Sequence, residues 1–290
     1  MNTFRTVLCP VELSSSGEQA LRVATNLSRS FGTRLVLQHH KGSNPETDAG
    51  PFRPGASMPE KLGRLLAGLP DGLHYDLRVT DGPRCPSLLE LARTLPADLI
   101  VLDPAEDPVE GSLSDAVLGQ APCPIVATSQ ADDAPDETPA RLLVAVGTQR
   151  SLPVLDYAAE LCEQEDLELH VLHVLGPTWG LITSTLHDDV KSAVRQSLGS
   201  RLGPAVAERA VIHIAEGSPA DEIARTAESV DVRFTLMGTR ARGRATSTGT
   251  CRQVLALSRR PVWFVPPATT RTRVRRSDPL DRRLPLPTVS

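Results

Sequence analysis

The residues of this chain that could do chemistry lie mainly in two loops of opposite charge. One runs from Asp103 to Ser112 and reads Asp-Pro-Ala-Glu-Asp-Pro-Val-Glu-Gly-Ser. Its carboxylates Asp103, Glu106, Asp107 and Glu110 repel polyanions, and its prolines remove amide donors. A divalent cation could bridge such acids; solvated carboxylates are the plainer reading. The other loop runs from Gly238 to Thr250 and carries Arg240, Arg242 and Arg244 among glycines. Guanidinium groups so clustered offset the charge of an anion. The remaining candidates are weaker. His39-His40, and His170 with His173, fall on or beside predicted strands. Neighbours in a strand face opposite ways, so neither pair makes a metal clamp. Cys251 follows Gly249-Thr250 at a predicted helix start, where end amides and Arg252 could activate its thiol. There is no nucleophile elbow and no Ser-His-Asp spacing.

The elements that position these loops occur twice. Thr80-Asp81-Gly82-Pro83 through Leu99-Ile100-Val101-Leu102 aligns without a gap on Ala215-Glu216-Gly217-Ser218 through Phe234-Thr235-Leu236-Met237. Val7-Leu8-Cys9-Pro10-Val11 aligns on Leu142-Leu143-Val144-Ala145-Val146 at the same offset. The copies differ where chemistry would sit. Asp103 corresponds to Gly238, and Glu12 to Gly147.

In the first copy, apolar patterning predicts strands over Thr6–Val11, Arg34–His39, Leu73–Val79, Leu99–Leu102 and Pro124–Thr128. Helices are predicted over Ser14–Arg29, Pro59–Leu69, Pro86–Leu95 and Ser114–Gly119. The second copy repeats the order. Its strands lie near Arg141–Val146, Leu167–Leu175, Ala210–Ala215, Arg233–Met237 and Val262–Val265. Its helices lie near Leu152–Gln164, Thr183–Leu202, Pro219–Ser229 and Thr250–Ser258. Strands alternating with helices predict right-handed crossovers and a parallel sheet covered on both faces. Each copy is therefore expected to be a doubly wound α/β domain with a mostly parallel five-stranded sheet. Ligands of such sheets bind at the carboxyl ends of the strands, which are the loops already singled out.

The 290 residues suit two domains of ordinary size, and the net charge of -4 gives no general reason to expect a nucleic-acid partner. The expected division is 1–130, a linker over 131–140, a second domain over 141–268 and a basic, disordered tail over 269–290. The linker is acidic and holds proline; the tail carries Arg271, Arg273, Arg275, Arg276, Arg282 and Arg283. The N-terminus lacks the apolar core of a signal peptide, and no stretch reaches the ~20 apolar residues of a membrane span. The five cysteines are odd in number and match no metal knuckle. These features lead to the expectation of a cytoplasmic protein that meets no membrane.

In its order of pieces and their duplication the chain resembles the universal stress protein (UspA) family in its tandem form. The residues that carry the likeness are Val79-Thr80-Asp81-Gly82-Pro83 with its echo Ile214-Ala215-Glu216-Gly217-Ser218-Pro219. Ala97-Asp98-Leu99-Ile100-Val101-Leu102 and Ala121-Pro122-Cys123-Pro124-Ile125-Val126 add to it. The resemblance implies a Rossmann-like fold of the adenine-nucleotide α-hydrolase-like kind. It also implies that the final strands pair across an internal pseudo-dimer, Pro124–Thr128 against Val262–Val265, with further homo-oligomers open. In the ATP-binding branch of that family an Asp after the first strand contacts adenosine. A Gly-x2-Gly-x9-Gly-Ser/Thr loop after the fourth strand cradles phosphate, because glycines let the backbone come close and helix-start amides donate.

Carried onto this chain, Gly238 matches the first glycine and Gly249-Thr250 the final pair. Ala241 stands at the second glycine, with Gly243 close by and a loop shorter than the family's. Gly147 replaces the Asp. The first copy keeps Glu12 in place of the Asp but sets Asp103 and Glu106 at glycine positions. The resemblance thus implies cofactor-binding residues Gly238, Arg240, Gly243, Gly249 and Thr250. ATP or ADP, with Mg, would be the ligand, and an empty site is the alternative. The expected role is stress-associated regulation or protein interaction without catalytic residues. The rivals are a nucleotide-free interaction module and a weak ATPase or hydrolase.

Overall fold

The computed structural model describes residues 4–11, 15–40, 58–103, 117–129, 140–147, 152–176, 184–239 and 246–266. The linker, apart from Ala140, the tail and most of the acidic loop lie outside them. In the first half β1 (Thr6–Pro10), β2 (Arg34–His40), β3 (Tyr75–Thr80), β4 (Leu99–Leu102) and β5 (Ile125–Ala127) alternate with α1 (Ser15–Phe31), α2 (Met58–Ala67) and α3 (Arg84–Thr94). Of the predicted helix over Ser114–Gly119, only 117–119 are described, and Val117 and Leu118 are helical. In the second half β6 (Arg141–Ala145), β7 (Glu168–Leu175), β8 (Val211–Glu216), β9 (Phe234–Gly238) and β10 (Val262–Val265) alternate with α4 (Leu152–Glu165), α5 (Ser184–Gly199), the short α6 (Pro204–Ala207), α7 (Pro219–Val230) and α8 (Thr246–Leu257).

These strands do not form two separate five-stranded sheets, as expected above, but one sheet of ten in the order β3-β2-β1-β4-β5-β10-β9-β6-β7-β8. All neighbours are parallel except the middle pair, where β5 and β10 run antiparallel with Val262 opposite Ala127, Trp263 opposite Val126 and Phe264 opposite Ile125. The expected pairing of final strands is the reason the sheets merge. Each half ends on a short apolar strand with an unpaired edge, and a single antiparallel ladder covers both edges. Outside the sheet, Gln19 Nε2 of α1 donates to Ser129 O at 3.3 Å, and Ser129 Oγ donates to Ser258 O, which adds a polar tie between halves.

The strand cores follow from composition. Leu99–Leu102 and Val262–Val265 are buried along their whole length, as runs covered by helices on both faces must be. Asp98 holds the start of β1 in place, its Oδ2 accepting from Arg5 N at 2.8 Å and Thr6 N at 3.1 Å. One apolar layer joins α1 and α4 to one face of the sheet, and a second joins α3 and α7 to the other. No helix among the described residues is long and apolar enough to cross a membrane.

Candidate functional site

In the second half the carboxyl ends of β6 and β9 lie side by side at the centre of that half's sheet. Gly147 follows β6 closely, after Val146, whose N–H donates to Leu172 O at 2.8 Å. Gly238 is the last residue of β9, and Thr239 N–H donates to Val265 O at 3.0 Å. Arg240 and Gly243 lie outside the described residues. The chain re-enters as α8, whose crossover between parallel β9 and β10 sets its N-terminus at the carboxyl edge of the sheet.

The helix begins at Thr246, earlier than the predicted Thr250, so Gly249 and Thr250 are not its start. Thr246-Ser247-Thr248 are residues that suit a helix N-terminus, whereas Gly249 reads in sequence as a breaker. The amides left without a helical partner therefore belong to the turn before Gly249. Cys251 moves with this boundary. It sits beyond the first turn at 6% exposure, packed with Val254 and Phe264 in the core, and is no accessible thiol.

The two described glycines can be tested for a structural reason to be glycine. A Cβ on Gly238 would meet Val154 Cβ at 3.7 Å, an ordinary contact. A Cβ on Gly249 would meet nothing within 4 Å. Neither has a positive φ among the described residues. Glycine inside a helix costs about 1 kcal/mol relative to alanine, so Gly249 weakens α8 with no return in packing. Bare backbone facing open space is what close approach of a phosphate requires. Gly63 of α2 is equally open, so the openness of Gly249 leaves room for a ligand without marking one.

The first half differs at this point. Asp103 follows β4 where Gly238 ends β9, and it is 6% exposed. A buried carboxylate at this point opposes an incoming phosphate. Glu12 and the rest of the acidic loop lie outside the described residues. Among the described residues no group of three or more His, Cys, Asp or Glu could hold a metal ion.

Two histidines occupy matching places in the two halves. His39 Nδ1 lies 3.3 Å from Val11 O, and His173 Nδ1 lies 2.7 Å from Val146 O. A carbonyl only accepts, so Nδ1 carries the proton in both. Each ring ties the second strand of its half to the residue just after the first strand, at the rim of the cleft. His39 Nε2, by contrast, is buried without a hydrogen-bond partner.

His170 has a different partner from the one weighed in sequence. Its Nδ1 lies 2.9 Å from His213 Nε2, across the β7–β8 ladder, and its Nε2 lies 3.2 Å from Glu168 Oε1. Glu168 in turn accepts from Arg141 Nε at 3.1 Å. Ring centroids 5.2 Å apart with planes 17° from parallel set the imidazoles end to end, sharing one proton. His213 Nε2–H can donate to His170 Nδ1, whereas His170 Nε2 lies within ion-pair range of Glu168 without hydrogen-bond geometry. Burial pushes the His170 pKa down, against the pull of Glu168; burial and then His170 push His213 down. A depressed imidazole pKa means that the unfolded chain takes up the proton first. Stability is then full above the ordinary imidazole range and falls as pH drops through it. The midpoint of urea unfolding is therefore expected to fall between about pH 7 and about pH 5, and His213→Asn to flatten that slope. Equal slopes in the two proteins would contradict the pairing.

Comparison with known proteins places these features in a family. Residues 3–129 and 140–266 each match the family model described as Universal stress protein family. No curated protein matches the chain. Among solved structures, a universal stress protein from Archaeoglobus fulgidus DSM 4304 is 17% identical, with a TM-score of 0.64 over 90% of this chain and 96% of its own. A functionally unknown protein from Pseudomonas aeruginosa PAO1 is 19% identical, with a TM-score of 0.62 over 95% of this chain and 97% of its own. At such identities the likeness speaks to fold.

Proposed function

Because the chain belongs to the universal stress protein family as two tandem copies, we propose that it is a regulatory or protein-interaction protein whose second copy holds an adenine nucleotide as a conformational ligand. The observation that carries this reading is Gly238 at the carboxyl end of β9, before the N-terminus of α8, where the first copy sets the buried Asp103. Gly238, Gly249, Thr250 and the first-turn amides of α8 are the groups that would hold the phosphates. Arg240 and Gly243, in the same loop of the sequence, would add charge and close approach. Magnesium would accompany ATP or ADP and lower the charge the protein must neutralise. Gly147 brings no carboxylate to the adenosine side, so affinity rests on the phosphates more than on the sugar.

The first copy serves a different end. Its buried Asp103 supports the reading of a nucleotide-free domain whose value is structural or as a surface for partners. Neither copy is assigned a chemical step.

Titration of the purified chain with a fluorescent ATP analogue and magnesium tests the proposal. The Gly249→Ala, Thr250→Ala double variant should bind at least about tenfold more weakly, because the new methyl at 249 enters the phosphate's space and the hydroxyl donor at 250 is lost. Both replacements raise helix propensity, so the variant should also be about 1 kcal/mol more stable. Lost binding then cannot come from a lost helix. Unchanged affinity in the variant, or no wild-type binding at millimolar nucleotide, would overturn the reading.

A further inference from the structure

The sheet leaves two strands without an outer neighbour among the described residues, β3 at one end and β8 at the other. An open edge presents unpaired N–H and C=O groups and invites another strand. The pairing with β2 fixes which groups of β3 point outward. Leu35 N–H donates to His74 O at 2.9 Å, and a parallel ladder engages alternate residues. His74, Asp76, Arg78 and Thr80 therefore turn their backbone groups towards β2, and Tyr75, Leu77 and Val79 turn theirs away from it. Of the four large apolar side chains exposed among the described residues, two are on this strand, Tyr75 at 42% and Val79 at 49%. They share the face on which Leu77 packs against the core.

The order of side chains decides what this edge fits. Tyr75-Asp76-Leu77-Arg78-Val79 is complementary to itself when reversed. An antiparallel pairing of two copies, centred on Leu77, sets Asp76 of each opposite Arg78 of the other. Tyr75 then meets Val79 at both ends, an aromatic ring against a β-branched side chain. The outward backbone groups of Tyr75, Leu77 and Val79 bond those of the second copy, in the alternation an antiparallel ladder requires. Neighbouring registers fail. Centred on Asp76 the pairing sets acid opposite acid, and centred on Arg78 it sets guanidinium opposite guanidinium, each destabilising. The β8 edge has no such match, since Val211–Glu216 carries one acid and no Lys or Arg.

We propose that the β3 edge joins a second copy of this chain, antiparallel and edge to edge, in a twofold dimer with one continuous sheet. The chain joins its own halves in the same manner, through the antiparallel β5–β10 ladder. Asp76 pairs with Arg34 of β2, so in the dimer its carboxylate lies among guanidinium groups from both copies. Alternating charge guards an edge against many strands but not against its own copy. The contact is one short strand wide and smaller than a standard interface, so the dimer is reversible, with a Kd on the order of 10 μM. None of its residues belongs to the second half, and the result does not depend on nucleotide binding.

Sedimentation equilibrium of the full chain from about 1 to about 200 μM tests the proposal. The wild type should pass from monomer to dimer and no further. Arg78→Asp and Asp76→Arg each set like charges opposite at two places, and each should weaken the dimer at least about tenfold. Asp76→Arg brings the net charge of -4 closer to zero, so general repulsion between copies cannot explain its loss. An equal mixture of the two variants restores every opposite-charge pair and should form a heterodimer within about threefold of the wild-type affinity. That recovery, with circular dichroism of each variant alone, shows that the strand is still folded. A wild type that stays monomeric, assemblies that grow beyond the dimer, variants that dimerise as tightly as the wild type, or a mixture that recovers nothing would overturn the assignment.

Discussion

Trp263→Ala should destabilise the whole chain by about 3–5 kcal/mol and lower the unfolding midpoint of both halves together. Trp263 is 0% exposed and occupies the middle of β10 at the seam of the sheet. Its ring packs edge-on to Phe234, with centroids 5.7 Å apart, and lies 5.9 Å from Phe4 and 6.3 Å from Phe31. Phe4 and Phe31 belong to the first half and stack on each other at 4.9 Å. The cavity left by alanine would open onto both halves, with little chance of collapse around a ten-stranded sheet. Trp263→Phe should cost far less. It keeps a ring in the cluster and sheds an indole nitrogen that is buried without a hydrogen-bond partner. Urea unfolding followed by circular dichroism reads both variants. A loss below about 1 kcal/mol in Trp263→Ala, or unfolding of one half alone, would contradict a shared core.

Gly238→Asp should abolish nucleotide binding in practical terms, with a loss of about 100-fold or more. The substitution gives the second copy the residue of the first. A carboxylate about 4 Å from a phosphate charge costs about 4 kcal/mol at the effective dielectric of a protein surface, so 100-fold is a cautious figure. The fold should accept the change. Asp103 is housed at the matching position after β4, and a Cβ at Gly238 makes only ordinary contact with Val154. The reverse change, Asp103→Gly, should create no site, because Glu106, Asp107 and Glu110 remain in that loop. Binding is read with the fluorescent analogue, and the fold with circular dichroism. A weakening of less than about threefold would place the phosphates elsewhere.

Much of the architecture is readable from residue patterns. Short apolar runs such as Leu99–Leu102 and Val262–Val265, too short for helices and rich in β-branched or aromatic residues, read as central strands, and their spacing by helical segments points to parallel crossovers. The merging of two sheets into one is less visible. It depends on which edges remain open after each half has folded, a question of tertiary contact; the short apolar ends Ile125–Ala127 and Val262–Val265 are its only local trace. At the candidate site, Gly238 stands where expected, and the start of α8 does not. A glycine inside a helix has the same local signature as one at its end, and sequence alone does not tell them apart. The His170–His213 pair was out of reach for a related reason. Its members lie on different strands, and the β7–β8 register alone brings them together.

If the two copies have divided, one retaining a nucleotide cleft and the other closing it with an acid, the intact chain holds one site. Equilibrium dialysis of the intact chain against radiolabelled ATP with magnesium counts the sites directly. Saturation is expected at one nucleotide per chain. Saturation at two per chain, or none bound at millimolar ATP, would contradict it.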